Sequence, residues 1–340
     1  MKNLLFPVFL LFVAQTVLSQ STDSCSIYLK KGLEQAQAHL YAQASKSFDQ
    51  AIQFNPDCIQ AYVENGNVNL AMRRLNPAMS NFTRAYQLQP DNQEVIKALS
   101  TLYFNNRQFE KAIAMAQKCK SCGNADRILG MSYYNTEDYG RATQFLTRAV
   151  SENASDSESA YTLGRTYLEL DNEKAAITQY QHSITVAPDR YEWIYELGLI
   201  YYDQNDFQNS QKYIQLAGQR GYFKTNDYYE NLGFTMLYNG YKKEGLDTLN
   251  LVLEHKPNNK DLLNNIAYAL YETKQYDDAL NYYAKLLTLD SKDASALYMA
   301  GIVFQKKGEK AKGEKLCDKA IAMDPSLARN RQRRQVSMGL

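Results

Sequence analysis

The sequence has almost no excess of charge of either sign. Lysine and arginine together number 38, against 37 aspartate and glutamate residues, which leaves a formal net charge of +1. Proteins that bind nucleic acid usually carry a clear basic excess or a basic face. The charge balance therefore argues against nucleic acid as a partner, and a hydrophobic fraction of 45% argues against a disordered chain.

Histidine and catalytic motifs are equally scarce. His39, His182 and His255 lie far apart, with no His-x-x-x-His pair or cysteine cluster that would predict a metal site. The sequence also has no Gly-x-Ser-x-Gly elbow, no phosphate-binding glycine loop and no zinc-protease helix. We therefore predict no catalytic residues, no metal and no cofactor, and we interpret the protein as a non-enzyme.

Long hydrophobic runs are missing beyond the first twenty residues, so we predict no transmembrane span. The apolar run at 4–14 follows Lys2 and precedes a small-residue cleavage pattern at 17–19, which is typical of a secretory signal peptide. We expect residues 1–19 to be that signal and 20–24 a short linker. The signal resembles those of exported proteins from Bacteroidetes-type bacteria, and we expect a periplasmic or secreted mature protein.

Small residues recur along the rest of the chain with a period of 34. The first small residue of each unit is found at Gly32, Gly66, Ser100, Gly130, Gly164, Gly198, Gly233, Ala267 and Gly301. A second follows each of them after twelve residues, at Ala44, Ala78, Ala112, Ala142, Ala176, Ser210, Gly245, Ala279 and Gly313. The period slips twice, to 30 residues after Ser100 and to 35 after Gly198.

Each unit is predicted to be two amphipathic helices. The apolar spacing is helical rather than alternating, as Tyr62 with Gly66 and Ala78 with Phe82 show. Breaker-rich pieces such as NNRQ, NTED, LDNE and DQND separate the two helices of a unit. Because two helices approach closely only where neither carries a bulky side chain at the crossing, the small residues predict close helix pairs.

This pattern resembles the tetratricopeptide repeat, which has a 34-residue period. Residues 157–190 show the family positions best, at Leu163, Gly164, Tyr167, Ala176, Tyr180 and Pro188. The resemblance implies an all-α fold, a right-handed α-solenoid of about nine helix-turn-helix repeats. The predicted repeats are 25–58, 59–92, 93–122, 123–156, 157–190, 191–225, 226–259, 260–293 and 294–327. Residues 328–340 are expected to form a basic C-terminal cap or tail.

At about 100° per residue, repeat positions 2, 5, 9 and 12 gather on one side of each first helix. The resemblance implies that this side, here named the first-helix stripe, lines a concave groove. Its candidate partner-binding residues are Lys97, Phe104, Arg127, Tyr134, Tyr161, Arg165, Tyr195, Tyr202, Phe234, Asn264, Tyr268, Tyr271 and Tyr298. Its acidic residues, most of them in the later repeats, are Glu158, Glu192, Asp227, Glu230 and Asp261.

An aromatic stripe with carboxylates suits an extended or helical protein segment that carries lysine, arginine or proline. The alternative interpretation is that these tyrosines pack between neighbouring first helices. A carboxylate-clamp ligand of the heat-shock chaperone type is disfavoured, because no three successive repeats, the first three included, carry the clamp's Lys, Asn and Arg set. The first three offer instead Leu29, Leu33, Glu64, Glu94 and Ala98.

The cysteines leave several interpretations open. Cys119 and Cys122 form a C-x-x-C pair beside the first slip, where we favour a disulfide or packed thiol pair over redox or metal chemistry. The repeat alignment places Cys119 at the small buried position of a second helix, and Cys317 at the buried position of Phe48 and Phe82. We expect both to be core residues. A bridge between Cys25 and Cys58 is geometrically marginal.

Taken together, these patterns predict a non-enzymatic protein-interaction scaffold of the cell envelope with its partner in the groove. Two alternatives stay open. One is a thiol-disulfide function at Cys119 and Cys122, and the other is an architectural role through self-association of the solenoid ends.

Overall fold

The computed structural model of the chain describes residues 24–120 and 122–329. All regular structure in these residues is helical, and the helices alternate with short turns. The predicted signal peptide at 1–19 and most of the predicted basic tail at 328–340 lie outside the described residues. The chain divides into two compact units, Met1–Val186 and Ala187–Leu340, named unit 1 and unit 2.

Unit 1 contains ten helices in its described part. Helix α1 covers residues 24–37, so that the last residue of the predicted linker is already helical. The helices that follow are α2 Tyr41–Phe54, α3 Ile59–Ala71, α4 Leu75–Leu88, α5 Gln93–Asn105, α6 Phe109–Ala116, α7 Ala125–Asn135, α8 Tyr139–Glu152, α9 Ser157–Glu169 and α10 Glu173–Val186.

Unit 2 contains eight α-helices and one 3-10 turn in its described part. They are α11 Tyr191–Asp203, α12 Phe207–Arg220, α13 Asn226–Tyr238, α14 Lys242–His255, α15 Lys260–Glu272, α16 Tyr276–Leu289, α17 Ala294–Lys307, α18 Lys310–Met323 and the 3-10 turn Pro325–Leu327.

Consecutive helices pack in pairs, and neighbouring pairs stack through their first helices. Helix α7 contacts α9 in unit 1, and α13 contacts α15 in unit 2. The fold-class prediction, an all-α solenoid of tetratricopeptide helix pairs, is confirmed in the described part of the chain.

The helices of a pair meet where a small residue faces a buried side chain sixteen positions later. A Cβ atom built on Gly66 would lie 2.7 Å from the Phe82 ring, and one on Gly164 would lie 2.8 Å from the Tyr180 ring. The seven glycines of this type face Phe48, Phe82, Leu146, Tyr180, Ile214, Leu249 and Cys317, all of them buried. The small residues are therefore packing contacts, as the repeat pattern predicts, and Cys317 is a core residue as expected.

The turn inside each helix pair uses one residue in the left-handed region. It occupies the same repeat position throughout, at His39, Arg73, Arg107, Glu137, Asp171, Asn205, Gly240, Lys274 and Gly308. Two of these residues are glycines, whereas Lys274 has a φ of 61°. A side chain with a Cβ atom is strained in this region, so the seven other turns carry a small conformational cost.

Replacing Lys274 with glycine is expected to raise the free energy of unfolding by about 0.5–1 kcal/mol, because the strain of the left-handed turn disappears. The matched reverse change, Gly308→Ala, is expected to lower it by about 1 kcal/mol. Urea denaturation followed by circular dichroism measures both. Equal free energies of unfolding for the two variants would show that the left-handed turn conformation does not affect stability.

The third repeat, where the period slips from 34 to 30 residues, has a short second helix. Helix α6 ends at Ala116 after 8 residues, whereas the other second helices of unit 1 have 14. The four missing residues therefore shorten the helix itself. The expectation that Cys119 is a core residue of this helix is wrong, because Cys119 lies beyond its end and is only half-buried. Its backbone N–H donates to the Ala116 carbonyl in a turn, where no helix remains to bury the side chain.

Candidate partner-binding surface

The first-helix stripe divides into exposed, half-buried and buried side chains. Lys97, Arg165, Asn264 and Tyr268 are exposed, and the Tyr268 side chain is 47% accessible. The half-buried candidates are Phe104, Arg127, Tyr134, Tyr161, Tyr202, Phe234 and Tyr271. Tyr195 and Tyr298 are buried, with 7% and 4% of their surface accessible. Burial argues against direct partner contact at these last two positions.

In unit 1 the arginines of the stripe are held by their own chain. Arg127 forms ion pairs with Asp156, at 3.0 Å, and with Glu158, and the pair with Glu158 ties the fourth repeat to the fifth. The Arg165 guanidinium lies 5.4 Å from the Tyr134 ring centroid and 5.9 Å from that of Tyr161. These are cation–π contacts, in which the electron-rich ring faces attract the cation.

In unit 2 the buried Tyr195 forms the centre of a tyrosine cluster. Its ring stacks on Tyr222 with centroids 4.2 Å apart, and the Asn231 amide donates a hydrogen bond of 2.8 Å to its hydroxyl. Burial, only partly offset by this hydrogen bond, raises the pKa of Tyr195. The packing interpretation of the stripe tyrosines therefore fits this position.

Two other stripe residues of unit 2, Tyr202 and Tyr268, line a cavity of about 650 Å³. Phe207, Tyr238 and Glu272 line the same cavity. Burial raises the pKa of Tyr202 to about 12, with Tyr238 and Asp203 as further causes. The three rings of Tyr202, Phe207 and Tyr238 thus form a partly desolvated wall.

Phe207 and Tyr238 are site residues that the sequence reasoning missed, because neither lies at a stripe position. A signal for Phe207 was present in the repeats. Aromatic residues at repeat positions 12 and 17 form ring contacts in four repeats: Phe104 with Phe109, Tyr134 with Tyr139, Tyr202 with Phe207, and Tyr271 with Tyr276. The first member of each pair belongs to the stripe, and the second begins the second helix.

The stripe of unit 2 also carries closely spaced carboxyl groups. Burial, followed by the nearby Asp227 carboxylate, raises the pKa of Glu230, and Lys256 opposes this effect. A raised pKa beside another acid shows that the negative charges are near enough to repel each other. A basic partner group would relieve that repulsion.

The two cysteines of the C-x-x-C pair are joined by a disulfide in the structure, with their Cα atoms 5.7 Å apart. The pair lies in the turn between α6 and α7, at the seam between the third and fourth repeats. The ammonium of Lys118 donates a hydrogen bond of 2.7 Å to the Tyr86 hydroxyl. This lysine is therefore engaged away from the cysteines.

Cys25 and Cys58 remain thiols in the structure. Burial, together with the adjacent Cys58 thiol, raises the pKa of Cys25 to about 11. A thiol with such a pKa is protonated at neutral pH and is a weak nucleophile. Both side chains pack in a small cluster with Ala51 and Ala61.

Two further properties concern possible ion and membrane sites. Nowhere in residues 24–120 and 122–329 do three or more His, Cys, Asp or Glu side chains come together in a way that could hold a metal ion. In the same residues, every helix is too short or too polar to cross a lipid bilayer.

Comparison with known proteins gives matches to repeat sequences. Residues 157–190 and 256–328 each match a family model described as tetratricopeptide repeat. The chain is 22% identical over 192 residues to Protein CTR9 homolog of Arabidopsis thaliana, covering 52% of this chain and 17% of that protein. It is 19% identical over 291 residues to the DnaJ homolog subfamily C member 7 homolog of Dictyostelium discoideum, covering 81% of this chain and 50% of that protein. The chain thus spans half or less of the length of these two relatives.

Among solved structures, the chain resembles YrrB, described as a TPR protein with an unusual peptide-binding site. The TM-score is 0.46 and the identity 19%, over 52% of this chain and 93% of that one. The family matches assign residues 157–190 and 256–328 to the tetratricopeptide repeat, and they support that family for this chain.

Proposed function

We propose that this chain is a non-enzymatic scaffold that binds a segment of another protein along its first-helix stripe. Proteins of this repeat family generally mediate protein–protein interaction. The observation that carries the proposal is the surface of unit 2, where exposed Tyr268 and half-buried Tyr202 border one cavity with Glu272. Tyrosine supplies large contact area and a hydroxyl for hydrogen bonding, which suits a binding surface.

We also propose that the scaffold works after export, in the cell envelope or outside the cell. The signal-like pattern at residues 1–19 supports this location. The Cys119–Cys122 disulfide supports it as well, because disulfides persist in oxidising compartments and are rare in the cytosol.

A thiol-disulfide function at Cys119 and Cys122 has weaker support. The pair follows the C-terminal end of α6, where the helix dipole disfavours a thiolate. Lys118, one of the two neighbouring lysines, donates to Tyr86 instead. Both features oppose the low thiol pKa that exchange chemistry needs. Architectural self-association has no specific observation in its favour.

The proposal is tested by affinity capture from an extract of the source organism. The bait is the full mature chain, beside a stripe variant that combines Lys97→Ala, Asn264→Ala and Tyr268→Ala. These three side chains are exposed, so their removal is expected to leave the fold intact. We expect the parent to retain defined proteins that the stripe variant loses.

The matched control changes three exposed residues of second helices, with Asn250→Ala, Leu251→Ala and Lys319→Ala in one chain. Circular dichroism checks that both variants are folded. Retention of the same proteins by the control supports the stripe as the binding surface. Loss from the control alone, or equal retention by all three baits, would contradict it.

A further inference from the structure

The cavity of unit 2 combines fixed aromatic rings with a carboxylate. The rings of Phe207 and Tyr238 stack with centroids 4.9 Å apart, and Tyr202 meets both of them edge-on at 5.6 and 6.1 Å. These contacts hold three rings as a rigid wall. Tyr268 from helix α15 completes the aromatic lining.

Glu272 gives this lining its charge. Its side chain is exposed, and it lies near enough to raise the pKa of the Tyr238 hydroxyl, a change caused first by burial and then by this carboxylate. No ion pair to Glu272 is formed within the described residues. Lys242, the cation on the same rim, is paired with Asp278 at 2.9 Å. The cavity therefore presents ring faces and a negative charge.

In unit 1, tyrosine rings near a glutamate hold an arginine side chain of the same chain. There the Arg165 guanidinium lies against the rings of Tyr134 and Tyr161, and Glu169 and Arg165 both act on the Tyr139 hydroxyl. In the predicted repeats, Tyr134 and Tyr202 share position 12, and Glu169 and Glu272 share position 13.

The two sites are built differently, because the unit 1 contacts join two adjacent repeats, whereas the cavity of unit 2 takes Tyr202 from the sixth repeat, Tyr238 from the seventh and Tyr268 from the eighth. Position 9 carries the internal guanidinium of Arg165 in the fifth repeat and the Tyr268 ring in the eighth, and both repeats have a glutamate at position 13. The cavity has room for a side chain that comes from outside.

We propose that this cavity binds the arginine side chain of a partner segment, with the guanidinium against the rings of Tyr202, Tyr238 and Tyr268 and paired with Glu272. Arginine fits better than lysine, because its planar group stacks on rings and pairs with a carboxylate through two parallel hydrogen bonds. This inference rests on the proposed function and names the group that the stripe recognises.

The test uses the full mature chain and three fluorescein-labelled, acetylated peptide amides of sequence Gly-Ser-Ala-X-Ala-Ser-Gly. The residue X is arginine, lysine or methionine, and binding is measured by fluorescence anisotropy at low salt. We expect the arginine peptide to bind about tenfold more tightly than the methionine peptide, the size expected for several cation–π contacts and an ion pair. The lysine peptide is expected to lie between them.

The variants Tyr268→Ala and Glu272→Gln are each expected to remove most of the arginine preference. Two matched controls are expected to keep it. Glu169→Gln changes the same repeat position in unit 1, and Tyr241→Ala removes a tyrosine that is 51% accessible and lies outside the cavity lining. Full preference in Tyr268→Ala and Glu272→Gln would overturn the assignment.

Two further outcomes separate this inference from the proposed function. Equal binding of the arginine and methionine peptides, while the stripe variant still loses captured proteins, would overturn the arginine site and leave the scaffold function standing. Free arginine amide that competes as well as the whole arginine peptide would show a small-cation site and overturn the partner-segment assignment.

Discussion

Replacing Gly66 with alanine is expected to lower the free energy of unfolding by about 2–3 kcal/mol, the usual cost of overpacking a close-packed core. The new Cβ atom would lie 2.7–2.9 Å from three atoms of the Phe82 ring. Phe82 is fully buried among Ala78, Ala85 and Leu99, so its ring has little space to move. Urea denaturation of the parent and the variant measures the difference.

A double-mutant cycle identifies the cause. Phe82→Leu removes the ring atoms that the new methyl group would meet, so the Gly66→Ala change is expected to cost at least about 1 kcal/mol less in that background. Gly140→Ala is the matched control, because its Cβ atom would have no neighbour nearer than 4.0 Å, and α8 would gain a better helix former. Additive costs at Gly66 and Phe82, or a Gly66→Ala variant as stable as the parent, would contradict the packing rule.

Replacing Tyr195 with alanine is expected to cost about 3–4 kcal/mol of stability, in the range of other large-to-small core changes. The ring is 7% accessible and stacks on Tyr222, and its loss would leave a cavity at the centre of the tyrosine cluster. The Asn231 amide would also lose the hydroxyl to which it donates. Chemical denaturation with urea gives the magnitude.

The comparison variant is Tyr268→Ala, at another stripe position. Because Tyr268 is 47% accessible, its removal is expected to change stability by less than about 1 kcal/mol. A large difference between the two variants divides the stripe into packing residues and residues available to a partner. Similar costs at both positions would mean that accessibility does not separate these roles.

The helix pairs and their contacts could be predicted from the sequence, because they depend on local periodicity. Apolar residues such as Tyr62 and Phe82 recur with helical spacing, and Gly66 recurs on the 34-residue period as a place of close approach. Both signals are short-range in the chain, and the structure places Gly66 against Phe82 as that pattern requires. The burial of Cys317 follows from the same alignment.

Features that depend on chain geometry were harder to predict. The left-handed residues Arg107, Glu137 and Lys274 share no residue type, so only their common repeat position marks them. The early end of α6 follows from a four-residue deletion, and the spacing of the small residues does not show where in the repeat that deletion falls. For this reason the repeat alignment wrongly places Cys119 in the core of the second helix.

The candidate site was predictable only in part. Stripe positions follow from helical geometry, but accessibility depends on neighbours that the pattern does not contain. Tyr195 is covered by Tyr222, which lies in the turn after α12. This turn belongs to the sixth repeat, which is one residue longer than the 34-residue period. Tyr268 stays exposed, with 47% of its surface accessible. Phe207 and Tyr238 join the cavity from outside the stripe.

The measurement that tests the scaffold function most directly is site-specific photo-cross-linking in the source cells. Benzoylphenylalanine is placed at Tyr268 in the stripe and, in a separate chain, at Leu251 on the second helix α14, where the side chain is 43% accessible. The scaffold proposal predicts a discrete protein adduct from position 268 and none from position 251. Adducts from position 251 alone, or the same adducts from both, would contradict the stripe as the binding surface.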